Sequence, residues 1–194
     1  MPMRDVTESG NSVRGIFKFI VNFLKHPIRQ IVYLPDWPWR TLIWVQIVLS
    51  MISGVLASLT RPNIFGLLFG LIVMPIMSML MVSLLTAFLY YYFQVFEKKS
   101  VSAAKLFTLS LFSSIPFFVF QIASTLLPPI TLIGFAFSAM LLAVGLSENF
   151  QIEKKRAVRL CLVLFSVVLM VWIGNRVSDY RSEQTAASTM PPPT

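Results

Sequence analysis

Side chains able to do chemistry are scarce in this sequence, and their spacing suits no catalytic or metal-binding set. His26 is the only histidine and Cys161 the only cysteine. That excludes a multi-histidine metal site, a cysteine zinc cluster and an intrachain disulfide. A nucleophile–base pair would have to use His26, which stands before Pro27 with no partner specified. The groups that do cluster are cations. Lys98, Lys99 and Lys105 form one group and Lys154, Lys155 and Arg156 another, with Glu97, Glu148 and Glu153 interspersed. Cations so placed either recognise a partner or meet anionic lipid headgroups. No enzyme activity, cofactor or nucleic-acid partner is expected from them.

The elements that carry these clusters are apolar. Of 194 residues, 56% are hydrophobic and 12% charged, against about 25% charged in soluble domains. Too little polar surface remains to coat a globule, and 17 phenylalanines argue equally against disorder. Residues 41–60, 62–96, 106–147 and 160–175 contain no charge. A spanning helix needs about 20 apolar residues. Pro128 and Pro129 divide the 42-residue window, because adjacent prolines cannot continue a helix. Five spans are expected, at about 41–60, 66–93, 106–126, 130–147 and 157–175, with Pro75 kinking the second. The fold class is an all-α, polytopic membrane helix bundle. Residues 1–40 form an N-terminal segment, 41–176 the membrane domain, and 177–194 a tail expected to be disordered.

Orientation follows from the basic residues. With the N-terminus inside, thirteen Lys and Arg fall on the inner side and three (Arg61, Arg176 and Arg181) on the outer. The positive-inside rule then places the N-terminus in the cytoplasm and the C-terminus outside. Trp37, Trp39 and Trp44, then Tyr90, Tyr91 and Tyr92, are expected to anchor span ends at the interface. No small-residue cleavage site follows the short apolar stretch 16–24, so no signal peptide is expected. Residues 12–25 read as an amphipathic helix. Arg14, Lys18, Asn22 and Lys25 share one face, and Ile16, Phe17, Ile20, Phe23 and Leu24 the other. The apolar face either enters the headgroup plane of an anionic membrane or packs on the bundle, and the two are compatible.

Inside the spans there is no ionisable residue at depth, which argues against proton-coupled transport. Gly54 and Gly70 lie in small-xxx-small spacings, with Ser50 and Gly66 as their partners, that allow helices to approach closely. Gly54, Gly66 and Gly70, with Pro75 and Pro116, are therefore expected to shape helix packing. Ser113, Ser114, Gln121, Ser124 and Thr125 are the one polar cluster that could line a path, and helix-to-helix hydrogen bonds explain them as well.

The order of several short motifs resembles the Yip family of Ypt/Rab-interacting membrane proteins. Gly70-Leu71-Ile72-Val73-Met74-Pro75 is similar to its span with an early proline, and Glu97-Lys98-Lys99-Ser100-Val101-Ser102 to its short basic loop. Phe112-Ser113-Ser114-Ile115-Pro116 matches its small-residue-then-proline step, and Gly145-Leu146 followed by Arg156-Ala157 its signature between the last two spans. Lys25-His26-Pro27 looks like the entry of prokaryotic members. Where eukaryotic members carry Asp-Leu-x-Gly-Pro, this chain has Tyr33-Leu34-Pro35-Asp36-Trp37-Pro38, so the resemblance does not extend to Rab binding or Golgi trafficking. It implies a five-span, non-enzymatic protein of the plasma (inner) membrane. Such a protein binds membrane-protein partners or itself, or organises the membrane. The competing expectation is a small transporter subunit acting as an oligomer or beside an energising partner.

Overall fold

A computed structural model describes residues 13–59, 64–123 and 130–189. Arg61, Ser124, Thr125 and the Pro128-Pro129 turn lie outside them. Among the described residues every regular element is helical. Helix α1 (Val13–Lys25) and the short α2 (Pro27–Gln30) precede the bundle. The first crossing is α3 (Trp39–Leu59). The second is built of α4 (Ile64–Leu68), a π turn (Phe69–Val73), α5 (Met74–Tyr92) and a second π turn (Phe93–Glu97). Then come α6 (Ala103–Ala123), α7 (Ile130–Phe150) and α8 (Lys154–Thr189). Five helical stretches are long and apolar enough to cross a membrane.

Local chemistry explains the joints. His26 ends α1 by donating its N–H to Asn22 O at 3.0 Å, and it caps α2, accepting from Arg29 and Gln30 N–H at 3.2 and 3.0 Å. Pro27 takes the first helical position, where a missing N–H costs nothing. The only histidine is thus a corner of the backbone with an exposed side chain. Pro75 acts through a widened turn rather than a break. Met74 N–H reaches back five residues to Phe69 O, which relieves the crowding a proline ring imposes on the preceding turn.

At the centre of that π turn Gly70 meets Gly54 of α3, backbone against backbone. A Cβ added at Gly70 would stand 2.5 Å from Gly54 O, and one at Gly54 would collide with Gly70 O. One glycine from each small-xxx-small spacing therefore makes the crossing, while Gly66 is half-buried. Pro75 is buried and Pro116 sits half-buried inside α6.

Helix α6 is the centre of the bundle. It packs against α3, α5 and α7, and residues 106–113 are all buried. Its remaining side is closed by the N-terminal segment. Phe19 and Phe23 of α1 and Trp37 converge on Phe112, with ring centroids 5.1, 5.3 and 5.7 Å away. Trp37 is therefore a core residue, not the interface anchor its neighbours Trp39 and Trp44 resemble; those two are 45% and 67% exposed, against 6% for Trp37. Composition cannot separate them, because the aromatic pocket that takes Trp37 comes from α1 and α6. Helix α8 packs along α7 at the outside of the bundle. Its apolar, membrane-spanning stretch ends at Asn175, while the helix itself runs on through Thr189 into the segment expected to be a disordered tail. Extending an existing helix costs far less than starting one, and no proline or glycine interrupts residues 175–189.

Candidate interaction surface

The crossings α5 and α7 end side by side, Phe93 and Phe150 having ring centroids 5.3 Å apart. Each chain turn that follows contains a left-handed residue, Lys98 at φ 50° and Gln151 at φ 52°. Lys98 and Lys99 both turn their N–H back onto Phe93 O, the closure expected where a helix ends in a left-handed residue. The two loops are then tied to each other. Lys99 Nζ donates to Gln151 O at 3.2 Å, and Arg156 Nη1 meets Glu97 Oε1 at 3.4 Å. Arg156 Nε also lies 3.5 Å from Glu153, while Lys154 pairs with Glu148 at 3.4 Å. Loops more than fifty residues apart in sequence thus form one basic platform.

The six basic residues divide by task. Lys99 and Arg156 fasten the loops, and Lys154 pairs within the turn between α7 and α8. Lys98, Lys105 and Lys155 are exposed and form no ion pair among the described residues. Glu97, only 12% exposed, is the inner anchor of the platform. Gln151, and the pairing of Glu97 with Arg156, were not legible in sequence, because only packing brings their loops together.

Three residues of α7 and α8 support the platform. Gly145 leaves space for Leu109 and Ile31; a Cβ there would clash with Leu109 Cδ1 and stand 3.2 Å from Ile31 Cγ1. One turn on, Asn149 Nδ2 donates to Ile31 O at 2.8 Å and to Gly145 O at 3.1 Å. Ala157, 1% exposed, lets the start of α8 close in beside Arg156.

On α1 the two alternatives left open by its pattern divide the apolar face. Phe23 is fully buried, and Ile16, Phe19 and Ile20 pack against the core. Phe17 and Leu24 are exposed, as are Arg14, Lys18 and Lys25. Phe19 went unnoticed in sequence because it falls between the basic stripe and the apolar one.

A second polar region lies inside the bundle. Gln46, Ser110 and Ser113 are 0–2% exposed, and neither the Gln46 carboxamide nor the two hydroxyls find a protein partner among the described residues. Of the other buried polar residues, Ser50, Thr86 and Thr108 return their hydroxyls to their own helices, and Ser53 donates to Phe118 O at 3.0 Å. Of the described members of the cluster expected from sequence, Ser113, Ser114 and Gln121, only Ser113 belongs here. Ser114 bonds Leu111 O, and Gln121 donates to Met74 Sδ. A buried amide without a protein partner costs about 1–3 kcal/mol. Gln46→Met is therefore expected to raise thermal stability in detergent by about that amount. A lowered Tm would show that the amide is hydrogen-bonded in the membrane.

Neither a curated protein nor a solved structure matches the chain. A family model, the Yip1 domain, matches residues 21–174. The match takes in the joint at His26, the Gly54–Gly70 crossing, the Gly145 seat and both halves of the platform. The motifs that carried the resemblance lie within the matched residues, and the chain belongs to the Yip1-domain family of multi-pass membrane proteins.

Proposed function

We propose that this protein is a non-enzymatic adaptor of the plasma (inner) membrane, with the N-terminus and the basic platform in the cytoplasm and the C-terminus outside. The platform binds partner proteins or a second copy, and anionic headgroups surround it. The observation that carries this reading is the joining of the two basic loops through Arg156–Glu97 and Lys99–Gln151. Loops that served only to fix topology would not need to be tied. The charge distribution supports the orientation, and the lack of Asp, Glu, Lys, Arg or His at depth in the spans supports a role without chemistry.

The residues that fasten the platform differ from those free to meet a partner, and this makes the reading testable. Lys98, Lys105 and Lys155 replaced together by Gln should leave folding and topology intact, because no ion pair in the described structure uses them. Partners captured from native membranes in lipid nanodiscs should be lost with that variant and kept by the wild type. Retention of every partner would reduce the loops to topology signals. A transport role would instead draw on the Gln46–Ser110–Ser113 layer, and Gln46→Met, silent for an adaptor, would abolish it.

A further inference from the structure

Helix α8 covers α7 only in part, and a groove of about 520 Å³ runs between them. Its floor is made of small residues of α7, including Ala136, Ala139 and Ala143, and its far wall of Val158, Leu162 and Phe165. Its mouth, at the basic platform, is the Glu148–Lys154 pair. From Ser147 to Ala136 the floor descends about 16 Å, at 1.5 Å per residue. That is half of a hydrocarbon core about 30 Å thick. The groove is one leaflet deep.

We infer that this groove holds one acyl chain of an anionic phospholipid from the leaflet on the platform side. An acyl chain spans one leaflet, which is the depth of this groove, and below Ser147 and the Glu148–Lys154 pair the lining is apolar along that descent. The charge at the mouth selects the headgroup. Lys154 is 81% exposed although paired with Glu148. Lys155 and Arg159, four residues apart on the adjoining face of α8, are exposed beside it. Of these charges Glu148 and Lys154 line the groove itself, and Lys155 and Arg159 on the neighbouring strip of α8 leave the mouth with an excess of two cations, which favours an anionic phosphodiester. This assignment rests on the groove and does not require the adaptor reading.

The full-length protein, purified in a mild detergent, would be offered phosphatidylglycerol and phosphatidylcholine of identical chains, and retained lipid read by native mass spectrometry. The wild type should keep phosphatidylglycerol about five-fold or more over phosphatidylcholine, the factor expected of a single Lys or Arg at a membrane surface. Ala136→Trp and Leu162→Trp fill the groove from opposite walls. Both positions are exposed, so folding should survive. Each should abolish retention of both lipids. Replacing Lys154, Lys155 and Arg159 together by Gln should remove the preference and leave binding. Undiminished lipid retention in both tryptophan variants would overturn the assignment. So would a lipid-free dimer that either variant dissociates, since a second copy would then be the occupant.

Discussion

Phe112→Ala is expected to cost about 3–5 kcal/mol and to release helix α1 from the bundle. The size follows from burial: the ring is fully buried near the middle of α6, in the most enclosed stretch of the chain. The specificity follows from its partners. Phe19, Phe23 and Trp37, all from the N-terminal segment, meet on that one ring. Its removal takes away the surface on which α1 sits, while the α3, α5 and α7 contacts of α6 persist around it. Hydrogen exchange in nanodiscs should show residues 13–25 losing protection while the five crossings keep theirs. Phe117→Ala is the matched comparison. It removes a ring 4.5 Å from Phe135 of α7 and should leave α1 docked. If α1 kept its protection in Phe112→Ala, the bilayer and not the bundle would be holding it.

The second large effect belongs to the Gly54–Gly70 crossing. Gly54→Ala and Gly70→Ala should each cost about 3 kcal/mol, the upper end for overpacking. The atoms in the way are backbone carbonyls that cannot change rotamer. Because both substitutions wedge open one contact, the double variant should cost clearly less than the two single losses together. Gly174→Ala supplies the control. Nothing lies within 4 Å of that position, so replacing a helical glycine there should be neutral or gain about 0.5–1 kcal/mol. Thermal unfolding followed by helical circular dichroism in detergent would read all four variants. Additive losses would mean that the helices do not touch through these two residues.

The sequence and the structure agree where the physics is local or set by the bilayer. Charge-free windows are enough to count crossings, because no ionisable side chain is cheap at depth, and the consecutive prolines in the longest window divide it. Pro75 marked an irregular point correctly, but whether a proline breaks, kinks or widens a helix depends on what lies opposite. Here the widened turn before it carries Gly70, which rests on the bare backbone of Gly54. Trp37 was misread because an aromatic ring near a span entry looks the same in sequence whether it faces headgroups or a pocket. Gln46 drew no notice, since a single amide amid apolar residues acquires meaning only when the partners around it are known. The six platform cations were legible as two clusters. Their division into fasteners and free charges was not, because Glu97 and Gln151 reach Arg156 and Lys99 across folds that only the assembled bundle makes.

The docking of α1 on α6 also has a consequence for how the chain is made. About 90 residues separate Phe23 from the ring it packs against, so at ~5–20 residues per second the ribosome delivers that ring roughly 4–18 s after α1 has emerged. Through this interval Trp37 is the one ring of this cluster already made that can meet α1, and Phe112 is still to come. Phe17 and Leu24, left exposed in the finished protein, and the basic stripe of Arg14, Lys18 and Lys25 would let the nascent helix wait on the membrane surface beside the translocon. Insertion of the third crossing would then capture it, so that a helix serving first as a temporary float would become the latch that closes the bundle.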